Sequence, residues 1–338
     1  MIYICDFFTR NIEAVSNQIE LLAINTNSSI VSATRFMKQR ALRRKDLKDK
    51  IFIFSPYIYE ILLPLILLTS KSPVHYFEEE PSTWRRIIFN ISRRPLYISM
   101  YRRPDQTYAE HIKKYKNLKI IFVELDYHKE LLVNNGIDKS VVHVSQTPAK
   151  LCRKENMKTF NKDNISILFA SWNNKEKNAL QERGLIYLLD LLKINKNFNL
   201  KIPLRDNDTK EFLEIAKEKG VIDRVSLLNI SNIDELIELF SESDLVSYMA
   251  QNRIVKDVPN SLLDGISLGK PILITDIIDF SKIVKENNLG IVIKTGEKAK
   301  KIDISSADYC KMSNNAYEYS IKHTDKEYLS IIDFYEFK

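Results

Sequence analysis

Short apolar runs alternate with stretches of helical period along the whole chain. In the first half, strands are expected over 2–5, 51–54, 73–77, 96–99, 119–123 and 141–144. Helices are expected over 12–23, 57–68 and 126–134. The longest apolar stretch, 61–68, is broken by Pro64 and too short to span a bilayer, so it reads as a buried helix. Residues 152–164 are polar, charged and without apolar period, as expected of an interdomain linker. The alternation then restarts, with strands over 165–170, 199–203, 225–228, 245–248 and 291–293 and helices over 185–192, 210–219 and 233–241. Strand–helix alternation of this kind predicts parallel sheets with helices on their faces. Two such series predict two Rossmann-like domains facing a cleft, with ligands beyond the carboxyl ends of the strands.

One segment, 256–276, is the most informative. Pro259 suits the start of a helix, and Asn260 and Ser261 are capping residue types. Leu262, Leu263 and Ile266 form a helical apolar stripe. Gly269 ends the helix, Pro271 prevents its resumption, and Ile272, Leu273 and Ile274 read as a strand covered on both faces. Free N–H groups and partial positive charge make such a helix start a seat for phosphate. A carboxylate just behind it, Asp264, is placed to hold a ribose hydroxyl.

Composition narrows the chemistry. With 338 residues the chain can build two cores. Only seven glycines occur, none before Gly136, so the first half has neither a Walker A loop nor a dinucleotide fingerprint. The three cysteines, Cys5, Cys152 and Cys310, are scattered without metal spacing and suggest a reducing compartment. The histidines are equally dispersed, so no metal site is expected. The apolar run at the N-terminus has no basic region before it, so no signal peptide is expected.

The net charge of +7 is partly local. Arg35, Lys38, Arg40, Arg43, Arg44, Lys45, Lys48 and Lys50 crowd one segment, and Arg85, Arg86, Arg93, Arg94, Arg102 and Arg103 form a second cluster. Such clusters attract anionic surfaces or are simply solvated helix faces. Aromatic residues are not interleaved with them in an RNA-binding pattern, so no nucleic acid partner is expected.

The run Leu263-Asp-Gly-Ile-Ser-Leu-Gly-Lys-Pro-Ile-Leu-Ile-Thr-Asp276 resembles the nucleotide-sugar motif of GT-B glycosyltransferases of the family-4 type. Three further segments resemble that family in the same order. They are 120–136, 165–170 with Arg183-Gly184-Leu185, and 234–247. The resemblance covers roughly residues 119 to 320 and implies an α/β, GT-B protein. Its domains would be 1–155 for the acceptor and 164–312 for the nucleotide sugar, with a C-terminal helix, 313–338, crossing back.

The resemblance also implies an activity. A sugar would pass from a nucleotide diphosphate donor to a glycan hydroxyl, with retention and without an obligatory metal or other cofactor. Departure of the diphosphate needs cations or N–H groups. By position these are Arg183, then Lys175 and Arg205, with Asn260 and Ser261 at the helix start and Arg10 from the first loop. Asp264 would contact the ribose. The family's first acidic position holds Lys256 here, with Asp257 adjacent and able to take the role by a one-residue shift. Glu78, Glu79 and Glu80, at the exit of a strand, could supply a base. His75, inside that strand, reads as core.

The expected acceptor is a glycan or lipid-linked glycan of bacterial surface polysaccharide (O-antigen, lipopolysaccharide or capsule). The expected location is the cytoplasm, or the inner face of its membrane through the basic N-terminal half. Two alternatives stay open. One is another nucleotide-sugar enzyme of the same fold; the other is an inactive partner subunit, which Lys256 makes credible.

Overall fold

The computed structural model describes residues 1–6, 14–33, 51–78, 82–148, 159–171, 179–204, 209–230, 233–252 and 256–335. The chain divides into two units, Met1–Thr147 with Lys326–Lys338, and Pro148–Asp325.

The first unit contains β1 (Ile2–Cys5), α1 (Ala14–Asn25), β2 (Ser29–Ala33), β3 (Ile51–Phe54), α2 (Pro56–Thr69) and β4 (Val74–Glu78). It continues with α3 (Thr83–Ser92), β5 (Leu96–Met100), α4 (Gln106–Ile112), β6 (Leu118–Val123), α5 (Asp126–Asn134) and β7 (Val142–Val144). The strands pair in parallel in the order β3-β2-β1-β4-β5-β6-β7. Alternate residues of each strand serve opposite faces. Ile2 and Ile4 join a core with Tyr59, Leu63, Ile88 and Tyr108, beneath α2, α3 and α4. Tyr3 and Cys5 join the other core, with Ile19 and Leu22 of α1 and Tyr328, Ile331 and Tyr335 of the returning tail.

The second unit contains β8 (Ile165–Leu168), α6 (Ala179–Glu182), α7 (Leu185–Ile194), β9 (Phe198–Leu204), α8 (Lys210–Glu218), β10 (Val225–Asn229), α9 (Ile233–Glu242) and β11 (Leu245–Tyr248). Then follow α10 (Asn260–Ser267), β12 (Ile272–Thr275), α11 (Phe280–Glu286), β13 (Gly290–Ile293) and α12 (Ser306–Ser320). Its parallel order is β10-β9-β8-β11-β12-β13. Both sheets have the doubly wound order, in which the chain reverses its direction of progress beside the first strand. That reversal lies between β1 and β4 in one sheet and between β8 and β11 in the other.

The turn after α10 has the bonding expected of its glycine. Gly269, at φ 67°, donates its N–H to Ile266 O, and Lys270 donates to Gly265 O. This is the paired Schellman closure, which requires a left-handed residue. The buried Lys270 then donates its ammonium to Ser241 O at 2.6 Å, tying β12 to α9.

Four expectations need correction. The strand β2 and helices α3 and α4 have no counterpart in the apolar reading. In Ser29–Ala33 two serines interrupt the apolar run, and α3 is hidden in an arginine-rich stretch. The helix over 57–68 is not buried all round: Tyr59, Leu63 and Leu67 are, while Ile61, Leu65 and Leu68 are exposed. The stretch 313–338 is not one helix crossing between units. The helix α12 begins at Ser306 and packs on α10 within the second unit, and the segment belonging to the first unit starts at Lys326. The second basic cluster is not all surface either, because Arg85 is buried. The first basic cluster lies outside the described residues.

Candidate donor site at the sheet reversal of the second unit

The loop beyond β8 and the start of α10 meet where the second sheet reverses. Pro259 provides no side-chain cap for α10, and Leu262 and Leu263 donate their N–H groups to Pro259 O. The first-turn N–H groups of Asn260 and Ser261 therefore have no carbonyl of their own helix to reach. Around this helix start, the Ser171 and Ser261 hydroxyls are 2.6 Å apart. Arg183 donates to Ser171 O at 2.7 Å, and Lys256 donates to Asn260 Oδ1 at 2.8 Å. Two cations, two hydroxyls, an amide and a helix N-terminus are thus joined through short bonds. The set is made of donors, so it suits an anion such as a diphosphate.

Two glycines allow this packing. Gly184 follows Arg183 at φ 78°, and a Cβ there would lie 1.7 Å from Met249 O, just beyond β11. Gly265 lets α10 rest on β11, since its Cβ would meet Val246 Cγ2 at 2.6 Å. Two acids of the resembling motifs have structural partners. Asp244 accepts the Ser166 N–H at 2.7 Å, joining β11 to β8. Asp276 accepts both the N–H and the hydroxyl of Thr295 at 2.7 Å.

Of the residues singled out by sequence, Arg183, Asn260 and Ser261 come together here. Asp264 lies one turn further along α10 and is half-buried. Asp257 lies in the loop before α10 and is buried. Lys175, Arg205, Arg10, Glu79 and Glu80 lie outside the described residues.

Glu78 is corrected. It is the last residue of β4, with no solvent exposure, and accepts hydrogen bonds from the hydroxyls of Tyr108 and Tyr115, the latter at 3.1 Å. Burial, then the Glu78 charge, pushes both phenols well above their ordinary range, so they remain donors. Glu78 thereby anchors α4 to the sheet and presents no oxygen to solvent. His75 is core, as read. Its ring bonds Ser99 Oγ at 2.8 Å and the Tyr335 hydroxyl at 2.5 Å, and burial pushes its pKa down to about 3.

Sequence reasoning passed over Ser171 and Asp6 and placed Arg85 only in a basic cluster; Asp6 and Arg85 meet at the reversal of the first sheet. Asp6, directly after β1, accepts from Arg85 Nε at 2.9 Å and from the Tyr76 hydroxyl at 2.5 Å. Arg85 also forms a bidentate pair with Glu60 and lies over the Tyr59 ring at 4.7 Å. The available signal for Asp6 and Ser171 was the same: a polar side chain directly following a short apolar strand.

No curated protein sequence matches the chain. Solved structures do resemble it, at low identity. HepE of Anabaena, solved with UDP-glucose, has a TM-score of 0.74 at 12% identity, covering 98% of either chain. A glycosyltransferase of Rickettsia africae has a TM-score of 0.67 at 14% identity, covering 98% of this chain and 97% of that one. WaaG, a glycosyltransferase involved in lipopolysaccharide biosynthesis, has a TM-score of 0.64 at 12% identity, covering 98% and 99%. These likenesses show that the fold is GT-B. Residues 153–323, just over half of the chain, match the model of one family, and this range contains every residue of the candidate donor site. The chain belongs to the glycosyl transferases group 1 and is a glycosyltransferase.

Proposed function

We propose that this enzyme transfers a sugar from a nucleoside diphosphate donor to a hydroxyl of a growing surface glycan, with retention and without a metal requirement. The observation that carries the donor assignment is the bonded set Ser171–Ser261, Arg183 and Lys256–Asn260 around the start of α10. Arg183 and Lys256 neutralise the charge that grows on the departing diphosphate, and the N–H groups of Asn260 and Ser261 receive its oxygens. Asp264 holds the ribose. At the family's first acidic position, the cation Lys256 adds to the positive charge on the diphosphate. Asp257, beside it, remains the acid for the sugar.

Two solved relatives support the class of donor and acceptor. HepE is solved with UDP-glucose, and WaaG takes part in lipopolysaccharide biosynthesis. The acceptor is accordingly a glycan on a lipid carrier, met at the cytoplasmic face of the membrane.

The test is a thermal-shift series with UDP, GDP, CDP, ADP and dTDP, each with and without magnesium. A ligand at a hundred times its dissociation constant stabilises by about 2.7 kcal/mol. One diphosphate should stand out, equally with and without magnesium. No shift with any of them would remove the donor assignment.

A further inference from the structure

The chain leaves the carboxyl end of β5 through Tyr101-Arg102-Arg103-Pro104. In the sheet, β5 stands beside β4, one strand from the reversal of the first unit. Ligands of doubly wound sheets gather beyond the carboxyl ends of the strands near such a reversal. Tyr101 and Pro104 are buried, and the Tyr101 hydroxyl donates to Gln18 Oε1 at 2.7 Å. Pro104 also restricts the backbone of the residue before it, Arg103, to extended conformations. The two arginines between these anchors are half-buried. Neither belongs to a helix, so the pair is not a solvated helix face.

An aromatic ring supports each guanidinium. Arg102 lies over the Tyr108 ring of α4 at 5.9 Å, and Arg103 over the Tyr127 ring of α5 at 5.0 Å. Arg103 also donates from Nη2 to the Tyr127 hydroxyl at 2.8 Å. Met100 and Val123, the last residues of β5 and β6, are register partners, so the loops carrying the arginines and Tyr127 leave the sheet at one level. Among the described residues, no carboxylate pairs with Arg102. Acids of this edge are engaged by other donors. Glu78 accepts from Tyr108 and Tyr115, Glu124 from the Thr147 hydroxyl, and Asp105 from the Tyr108 N–H. Asp126 stands exposed at the start of α5.

We propose that Arg102 and Arg103 bind an anionic group of the acceptor, a phosphate or a carboxylate borne by the glycan. A guanidinium offers a planar fork of N–H donors that matches both groups, and a half-buried setting strengthens such bonds relative to water. The Tyr108 and Tyr127 rings hold the two forks in place before the ligand arrives, which lowers the cost of ordering them. Neutral sugar hydroxyls are poorer ligands, because they compensate little for taking two cations out of water. The inference rests on the reading of this protein as a transferase to a glycan hydroxyl, and it narrows that acceptor to acidic glycans. The donor diphosphate is assigned to Arg183 and Lys256 of the second unit, so the two anions have separate cations.

The experiment is saturation-transfer NMR of the full chain with glucose, glucose 6-phosphate and glucuronate. The nucleoside diphosphate with the largest thermal shift is present in excess to fill the donor site. At least one acidic sugar should bind roughly tenfold or more tightly than glucose. Glucose 6-phosphate alone would assign a phosphorylated glycan, and glucuronate alone a uronic acid. Arg102→Gln/Arg103→Gln should weaken the acidic sugar roughly tenfold or more. Its melting temperature and its thermal shift with nucleoside diphosphates should match the wild type. Should the double variant fail to fold, Arg102→Gln alone reads the same contact. Acidic sugars that bind no better than glucose, or equally well to the variants, would overturn the inference. Variants that lose nucleoside diphosphate binding would assign the pair to the donor and overturn it too. Arginine-dependent binding of an acidic sugar by a chain that responds to no nucleoside diphosphate would remove the donor reading and keep this site.

Discussion

The hydroxyls of Ser171 and Ser261 lie 2.6 Å apart, joining the loop beyond β8 to the first turn of α10. The two residues are 90 positions apart in the chain. Their bond brings Arg183, which holds Ser171 through its backbone carbonyl, to the start of a helix whose first N–H groups have no carbonyl of their own helix to reach. The proposed donor site therefore lies at the sheet reversal between β8 and β11, and the proposal predicts how binding divides among its parts.

Arg183→Ala should weaken both UDP-type ligands and free pyrophosphate, by roughly tenfold to a hundredfold, the range for hydrogen bonds to charged groups. Asp264→Asn should weaken nucleoside diphosphates while leaving pyrophosphate unchanged, because its proposed partner is the ribose. Titration calorimetry with the two ligands separates these outcomes. Equal losses of pyrophosphate binding in both variants would place Asp264 on the phosphates instead.

Gly184→Ala should unfold the second unit more easily, by at least about 2 kcal/mol, since both its backbone and its surroundings exclude a side chain. Its φ is 78°, and the new Cβ would lie 1.7 Å from Met249 O. Gly220→Ala is the matched control: its φ is 67°, with nothing within 4 Å of a Cβ. Urea unfolding of the two variants should show a clearly larger loss at Gly184.

His75 makes stability depend on pH in a defined window. Burial holds its folded pKa at about 3, below its ordinary value of 6.5. Between these values the unfolded chain binds the extra proton, so stability is full above 6.5 and falls as pH drops towards 3. The contribution of this one group should be a loss of about 2 kcal/mol between neutral pH and pH ~5. Replacing His75 by Gln should flatten that part of the stability profile, as followed by chemical unfolding at a series of pH values. An unchanged slope would mean that His75 is not the group responsible.

Arg85→Met should destabilise the first unit by on the order of 2 kcal/mol, because Asp6 and Glu60 lose a buried cation while remaining partly exposed to water themselves. Adding Asp6→Asn should cost less in this background than in the wild type. A double-mutant cycle measures that coupling, and strict additivity would show that the two residues act independently.

The motifs of the second unit were far more legible than those of the first. The helix start at Pro259–Ser261, its end at Gly269 and the strand at Ile272 all depend on residues within a few positions of one another; the structure matches their places, though Pro259 holds the N-cap and neither Asn260 nor Ser261 caps the helix. The arginine-rich α3 was not legible, because its cations looked like a solvated surface. Arg85 is instead turned inward by Asp6 and Glu60, which lie 79 and 25 positions away. Glu78 was misread for the opposite reason. A carboxylate at the end of a strand resembles an exposed base until Tyr108 and Tyr115 are seen to bury it.

By itself the sequence determined the α/β class, most of the strands, the GT-B resemblance and the position of the helix start proposed to seat the diphosphate. These follow from short-range rules: side-chain period, capping, and the need for glycine at a left-handed turn. Only the tertiary structure decided which strand ends adjoin, that Ser171 and Lys256 bond to the start of α10, and that α2 leaves an apolar side exposed. Those outcomes depend on strand order and on partners distant in the chain, and a local pattern of apolar and polar residues carries no record of either.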